Sequence, residues 1–269
     1  MTSPSATPNT AAAAGKGGRL RFFNFAAPMR FYAITGWLVP LCWVVAIGFA
    51  IAGLYVGFFV APTDATQGES YRIIYIHVPA AWMSMMLYLV MAFWAGIGWA
   101  FNARMASIVA RAIAPTGAMF AFLALWTGAF WGKPTWGTWW VWDARLTTTL
   151  ILLFLYLGYI ALVNAIDDQR RSDQAGALLA LVGSINVPII YFSVQWWNTL
   201  HQGATISMTA APKMANTMLT GMLLMTVACW AYAFATVFMR ARAITIERES
   251  RNAWVGKLVS QPAQGGQKT

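Results

Sequence analysis

Residues 73–103 read I-I-Y-I-H-V-P-A-A-W-M-S-M-M-L-Y-L-V-M-A-F-W-A-G-I-G-W-A-F-N-A and contain no Asp, Glu, Lys or Arg. An α-helix rises 1.5 Å per residue and crosses about 30 Å of hydrocarbon in about 20 residues, so this run is long enough to span a bilayer. Working outward, charge-free runs recur at 31–63, 112–132, 146–166, 174–212 and 214–239. They predict helices near 37–60, 76–101, 112–131, 147–166, 175–195 and 214–239. A helix satisfies its own backbone hydrogen bonds in lipid. A β-barrel would instead show alternating segments of about ten residues, and the chain has none. Composition agrees: 59% of the 269 residues are hydrophobic and 10% are charged, against about 25% charged in an average soluble domain. Mean hydropathy is +0.57. The expected fold is an all-α integral membrane protein, a six-transmembrane-helix bundle. An ordinary soluble enzyme, a disordered chain and a disulfide scaffold are excluded. Cys42 and Cys229 both sit in apolar runs, which supports neither a disulfide framework nor a zinc site, and no C-x-x-C-H motif occurs.

The net charge of +10 follows a pattern. One side of a six-span topology receives Lys16, Arg19, Arg21, Arg30, Arg104, Arg111, Arg170, Arg171, Arg240, Arg242, Arg248, Arg251, Lys257 and Lys268. The other receives Arg72, Lys133, Arg145 and Lys213. Fourteen against four puts both termini in the cytoplasm and makes topology, rather than nucleic acid, the explanation of the charge. Residues 1–36 read as a cytoplasmic N-terminal segment, disordered over 1–18 and interfacial where Arg alternates with Phe. Residues 37–239 read as the membrane domain and 240–269 as a cytoplasmic tail. The first apolar run is too long for a cleavable signal peptide. Gly128–Lys133 has the wrong glycine spacing for a phosphate-binding loop, so no ATPase motif is present and no catalytic residue stands out.

The external segments hold the unusual residues. From Trp131 the chain reads W-G-K-P-T-W-G-T-W-W-V-W-D-A-R, placing Trp131, Trp136, Trp139, Trp140 and Trp142 within twelve residues. An interfacial aromatic belt explains one or two of them; a platform on which a planar apolar ligand stacks explains more. Gly132, Pro134 and Gly137 read as the punctuation of a shaped loop rather than a continuing helix. Asp143 precedes an apolar run and reads as the N-cap of the fourth span. Arg72, Lys133 and Arg145 either snorkel at the interface or pair with ligand carboxylates. The two histidines, His77 and His201, both fall on the external side. Each alone reads more readily as a hydrogen-bonded structural residue. Together with the tryptophans and cations they match the parts of a bis-histidine haem site, in which imidazoles hold iron and Arg or Lys meets the propionates.

The stretch 131–143, with Y-I-H-V-P at 75–79 and V-Q-W-W-N-T-L-H-Q at 194–202, resembles the tryptophan-rich WWD family of haem-handling proteins, and within it the CcmC-like members of bacterial cytochrome c maturation. The resemblance covers most of the chain. It implies a Trp-rich periplasmic loop, with the WWD loop at 131–145, in a multi-pass protein of the bacterial inner membrane. It implies haem b held by His77 and His201 as axial metal ligands, with Trp131, Trp136, Trp139, Trp140, Trp142 and Asp143 as the platform and Arg72 and Arg145 near the propionates. The partners implied are the haem chaperone CcmE, and CcmA, CcmB and CcmD in one complex. Three other readings are a cytochrome b-type electron carrier, a transmembrane haem exporter subunit, and a scaffold that packs partners through Gly53-x-x-x-Gly57. The first would place histidines at membrane depth, and the second would place a polar site near the midplane.

Overall fold

A computed structural model describes residues 27–201 and 214–260. The expectations for residues 1–18, for most of the Arg–Phe segment, for Lys213 and for the end of the tail lie outside the described residues. Helix α1 (Pro28–Tyr55) continues through a π-helical turn, Val56–Val60; a 3₁₀ turn, Glu69–Ile73, feeds α2 (Ile74–Phe101). There follow α3 (Arg104–Trp136), α4 (Ala144–Ala165), α5 (Gln169–Gly183), α6 (Asn186–Trp196), α7 (Asn216–Arg248) and a short α8 (Ala253–Ser260). Six of these stretches are long and apolar enough to cross a membrane, with α5 and α6 forming one of them. The chain is a multi-pass, all-helical membrane protein.

Local chemistry sets the ends. Pro28 occupies the first turn of α1, where no backbone N–H is needed. Asn102, at φ 50°, turns the chain tightly from α2 into α3. Asp143 caps α4 by accepting from the Leu146 N–H at 2.8 Å, and Asp168 caps α5 by accepting from Arg171 at the same distance. The helices overrun their charge-free cores: α1 begins nine residues before the expected 37, α3 begins at Arg104, and α7 runs to Arg248. Flanking arginines stay helical while their heads find water or polar partners, Arg104 exposed and Arg248 paired with Asp173, so charge marks the edge of the hydrocarbon and not the end of the helix.

Two expectations are corrected. The stretch 175–195 is not one helix but two, broken at Ser184–Ile185. Pro188 explains the break, because it cannot donate to the carbonyl four residues earlier, that of Ser184, and its ring crowds that oxygen. The run from Trp131 is not all loop, since α3 continues through Gly132 and Pro134 to Trp136. Pro134 sits in the last turn, where one lost hydrogen bond is tolerated. The helix stops at Gly137, at φ 77°, whose N–H returns to the Lys133 carbonyl.

Helix α3 runs through the middle of the bundle against α2, α4 and α7. Its buried face is built of small residues, among them Ala110, Ala114, Gly117, Ala121 and Ala124. Small side chains let helices approach closely, which is the main source of cohesion where lipid competes for apolar contact. Tyr88 and Tyr156 fill the centre edge to face at 4.9 Å, and the Tyr156 hydroxyl donates to the Ser84 carbonyl at 2.8 Å. Helix α1 packs along α7. Gly53 serves this internal contact, since a Cβ there would lie 2.8 Å from Met225 of α7; Gly57, in the π-helical turn, admits α2, since a Cβ there would lie 2.5 Å from the Tyr75 ring. At the end of the bundle carrying the α2–α3 turn, Arg248 forks onto Asp173 with two bonds of 2.8 Å. Arg111 joins them through Ser172 at 2.8 Å.

Candidate functional site

The opposite end holds a cleft of about 240 Å³, walled by α2, the last turns of α3, the start of α4, and α6 with the residues after it. His77 and His201 both line it, with Trp131, Trp136, Arg145 and Gln67. His77 sits in the first turn of α2. Its Nδ1 lies 3.1 Å from the Thr127 hydroxyl of α3, which itself donates to the Leu123 carbonyl at 2.6 Å. With the Thr127 proton given to that carbonyl, its oxygen is free to accept from Nδ1–H, and in that tautomer Nε2 of His77 carries no proton. The ring stands edge to face with Trp131 at 5.5 Å. Gly128 lies beneath it, where a Cβ would come within 3.0 Å of His77 Cε1. Trp131 is held in turn by its indole N–H, which donates to Gln67 at 2.7 Å.

His201 comes from the segment after α6 and packs on Trp136 at 5.0 Å between ring centroids. Its Nδ1 faces the Asp143 Oδ2 at 3.6 Å, while the other carboxylate oxygen caps α4. These two facing atoms are buried and lack a hydrogen-bond partner among the described residues, as are Trp140 Nε1 and Thr199 Oγ1. Burial pushes the His201 imidazole down to about 4; the Arg145 cation adds to this and Asp143 opposes it. The ring is therefore neutral at pH 7 and able to ligate. Arg145 projects into the same cleft, and none of the ion pairs among the described residues involves it. A buried cation of this kind suits a ligand carboxylate.

The remaining candidates lie elsewhere. Trp139 and Trp142 point outward, 51% and 76% exposed, and do not line the cleft. Trp139 packs on Phe130 at 5.3 Å, and Trp140 stacks edge to face on Trp142 at 5.4 Å. Arg72 pairs with Glu69 and donates to the Gly57 carbonyl at 2.6 Å and the Ala61 carbonyl at 3.2 Å, tying the end of α1 to the start of α2. It too stands outside the cleft. Sequence reasoning did not single out Thr127, Gly128 or Gln67. One signal was available for Thr127, a hydroxyl in an apolar span near the same end as His77. Cys42 and Cys229 are free, as expected.

The donor set limits what the cleft can coordinate. Among the described residues no group of three or more His, Cys, Asp or Glu side chains converges to hold a bare metal ion. Two imidazoles suffice only where a ligand supplies the other coordination positions itself, as a macrocycle does with four in one plane. The aromatic walls and the unpaired Arg145 complete a site whose chemistry fits haem.

Fold and site together define a six-span membrane protein with a paired-histidine, tryptophan-walled cleft at one end. The chain belongs to the CcmC family, described as heme exporter protein C, whose profile matches residues 21–256. It is 46% identical to heme exporter protein C of Escherichia coli strain K12 over 240 residues, covering 88% of this chain and 95% of the relative. It is 42% identical to the protein of that name from Haemophilus influenzae, over 87% of this chain and 95% of the relative. A ccmC-like mitochondrial protein of cytochrome c biosynthesis from Marchantia polymorpha is 45% identical over 69% of this chain and 76% of the relative.

Proposed function

We propose that this protein handles haem in cytochrome c maturation, binding haem b in the cleft through His77 and His201 and presenting it to the chaperone CcmE. The observation that carries this reading is the pair of imidazoles lining one cleft from two different elements, one with Nδ1 in hydrogen-bond reach of Thr127 and the other with Nδ1 facing Asp143. In the Nδ1–H tautomers both would offer Nε2 to a metal. The names of the relatives support haem as the ligand, and the Marchantia relative supports cytochrome c biosynthesis. Haem brought into the cleft supplies the iron that the two imidazoles bind.

In this mechanism Trp131 and Trp136 flank the two histidines, and Arg145 would donate to a ligand carboxylate. At about 240 Å³ the cleft formed by the described residues is smaller than the roughly 300–1,000 Å³ of pockets that enclose a whole drug-sized ligand. A macrocycle larger than this would keep an edge outside, where the chaperone could reach it. The lysine and arginine bias supports termini in the cytoplasm and a cleft on the far side, the periplasmic side in a bacterial inner membrane. The complex partners in this reading are CcmA, CcmB and CcmD. The test is the absorption spectrum of detergent-purified protein beside the His77→Ala and His201→Ala variants, each checked for monodispersity. A low-spin haem b spectrum lost in both variants is expected. Unchanged haem content and unchanged chaperone loading in both would overturn the ligand assignment.

A further inference from the structure

The two histidines are not held alike. His77 Nδ1 meets a hydroxyl at 3.1 Å, a neutral acceptor that also donates onward to a carbonyl. His201 Nδ1 faces a carboxylate oxygen at 3.6 Å, and neither of these two buried atoms has a hydrogen-bond partner among the described residues. The Asp143 side chain is 8% exposed and held by its cap to the Leu146 N–H at 2.8 Å, so turning to water would cost it that cap. A small approach of His201 converts the facing pair into a charge-assisted hydrogen bond. Partners of this kind fix the tautomer of a metal-bound histidine and raise its basicity, and an anionic acceptor does so more than a neutral one.

We infer that Asp143 and Thr127 are positioning residues that hold both histidines as Nδ1–H tautomers, and that the carboxylate makes His201 the stronger and His77 the weaker axial ligand. The part about ligand strength rests on the proposed haem site; the tautomer part does not. The arrangement gives the cleft a built-in order of release, with the His77 side yielding first when another ligand competes for the metal.

Two measurements test it. The chain has two histidines, so ¹⁵N-histidine labelling of the haem-free protein gives two ring systems whose tautomers are read directly. Both are expected as Nδ1–H at neutral pH. Asp143→Asn keeps a good N-cap through its amide oxygen and turns its NH2 toward Nδ1, so it should shift His201 toward the Nε2–H tautomer and leave His77 unchanged. An Nε2–H tautomer for His201 in the unaltered protein, or no response to Asp143→Asn, overturns the inference. The second measurement is the reduction potential of bound haem. Asp143→Asn is expected to favour ferrous over ferric haem about tenfold, a rise of about 59 mV for one electron. Thr127→Val should shift the potential by less than half of that, and Thr127→Ser by nothing. Equal shifts for Asp143→Asn and Thr127→Val overturn the ranking of the ligands. If the unaltered protein holds no low-spin haem, the proposed haem site itself fails; if it does and Asp143→Asn is silent, only the positioning inference fails.

Discussion

Gly128→Ala separates the cost of a crowded site from the stability of the helix that carries it. A Cβ at this position would lie 3.0 Å from His77 Cε1 and 3.5 Å from His77 Nδ1. An unstrained carbon–carbon contact is about 3.5 Å or more, so the ring must retreat by roughly 0.5 Å. Moving directly away from α3, it would stretch the 3.1 Å bond to Thr127 to about 3.6 Å, which is no longer a hydrogen bond. Losing that bond costs about 1 kcal/mol. Exchanging glycine for alanine inside a helix returns about 1 kcal/mol. The thermal midpoint of the apoprotein should therefore barely move. Haem affinity should fall by about tenfold, because a displaced second partner misdirects the axial nitrogen. The assay pairs thermal unfolding in detergent with haem titration, and Gly48→Ala is the control, since nothing lies within 4 Å of a Cβ there. Haem affinity within twofold of the unaltered protein, with the substitution verified and the fold intact, would refute the reasoning that Gly128 seats His77.

Two further outcomes follow from the same geometry. Arg145→Gln removes the cleft's unpaired cation, and a charge-assisted bond of about 1.5–3 kcal/mol predicts a loss of at least tenfold in haem affinity. Titration with haem whose propionates are esterified checks this, because the variant and the unaltered protein should then bind equally. For pH, His201 is held near 4 by burial against an ordinary value of about 6.5, so its folded state resists protonation. The stability it contributes is complete above about 6.5 and is lost as pH falls from there toward 4. Haem titrations at stepped pH should stay flat from 7 to about 5, and a midpoint near 6.5 would contradict the buried placement of the ring.

Much of the architecture was readable because lipid imposes a blunt rule. Charge-free runs marked all six spans, and the Asp143 signal for the start of α4 was correct because an N-cap is a local matter. What failed was also physical. Pro134 and Gly132 looked like loop punctuation, yet a helix near its end gives up a hydrogen bond cheaply, so α3 runs on to Trp136. Pro188 was a visible breaker inside the fifth span, and the run of apolar residues around it masked the break. The tryptophan cluster looked like one platform in sequence. The end of α3 at Gly137 splits it: Trp131 and Trp136, on the helix, line the cleft, while Trp139 and Trp142, beyond it, are exposed. Arg72 lies five residues from His77, but its guanidinium is consumed by backbone carbonyls of the π-helical turn and the residue after it. Asp143 stood out in the sequence as a cap and a platform residue, but its place beside His201, like that of Thr127 beside His77, comes from three-dimensional packing.

The docking of α1 against α7 joins the two extremes of the chain. Gly53 meets Met225, and the Arg242 guanidinium lies 3.7 Å over the Tyr32 ring. Helix α1 therefore waits in lipid until α7 is made, after the four intervening spans. A nascent chain arrested before residue 216 has an α1 without its seat, while α2, α3 and α4 already have theirs. Quality control that samples unpaired membrane helices would read the completeness of this protein from its first helix.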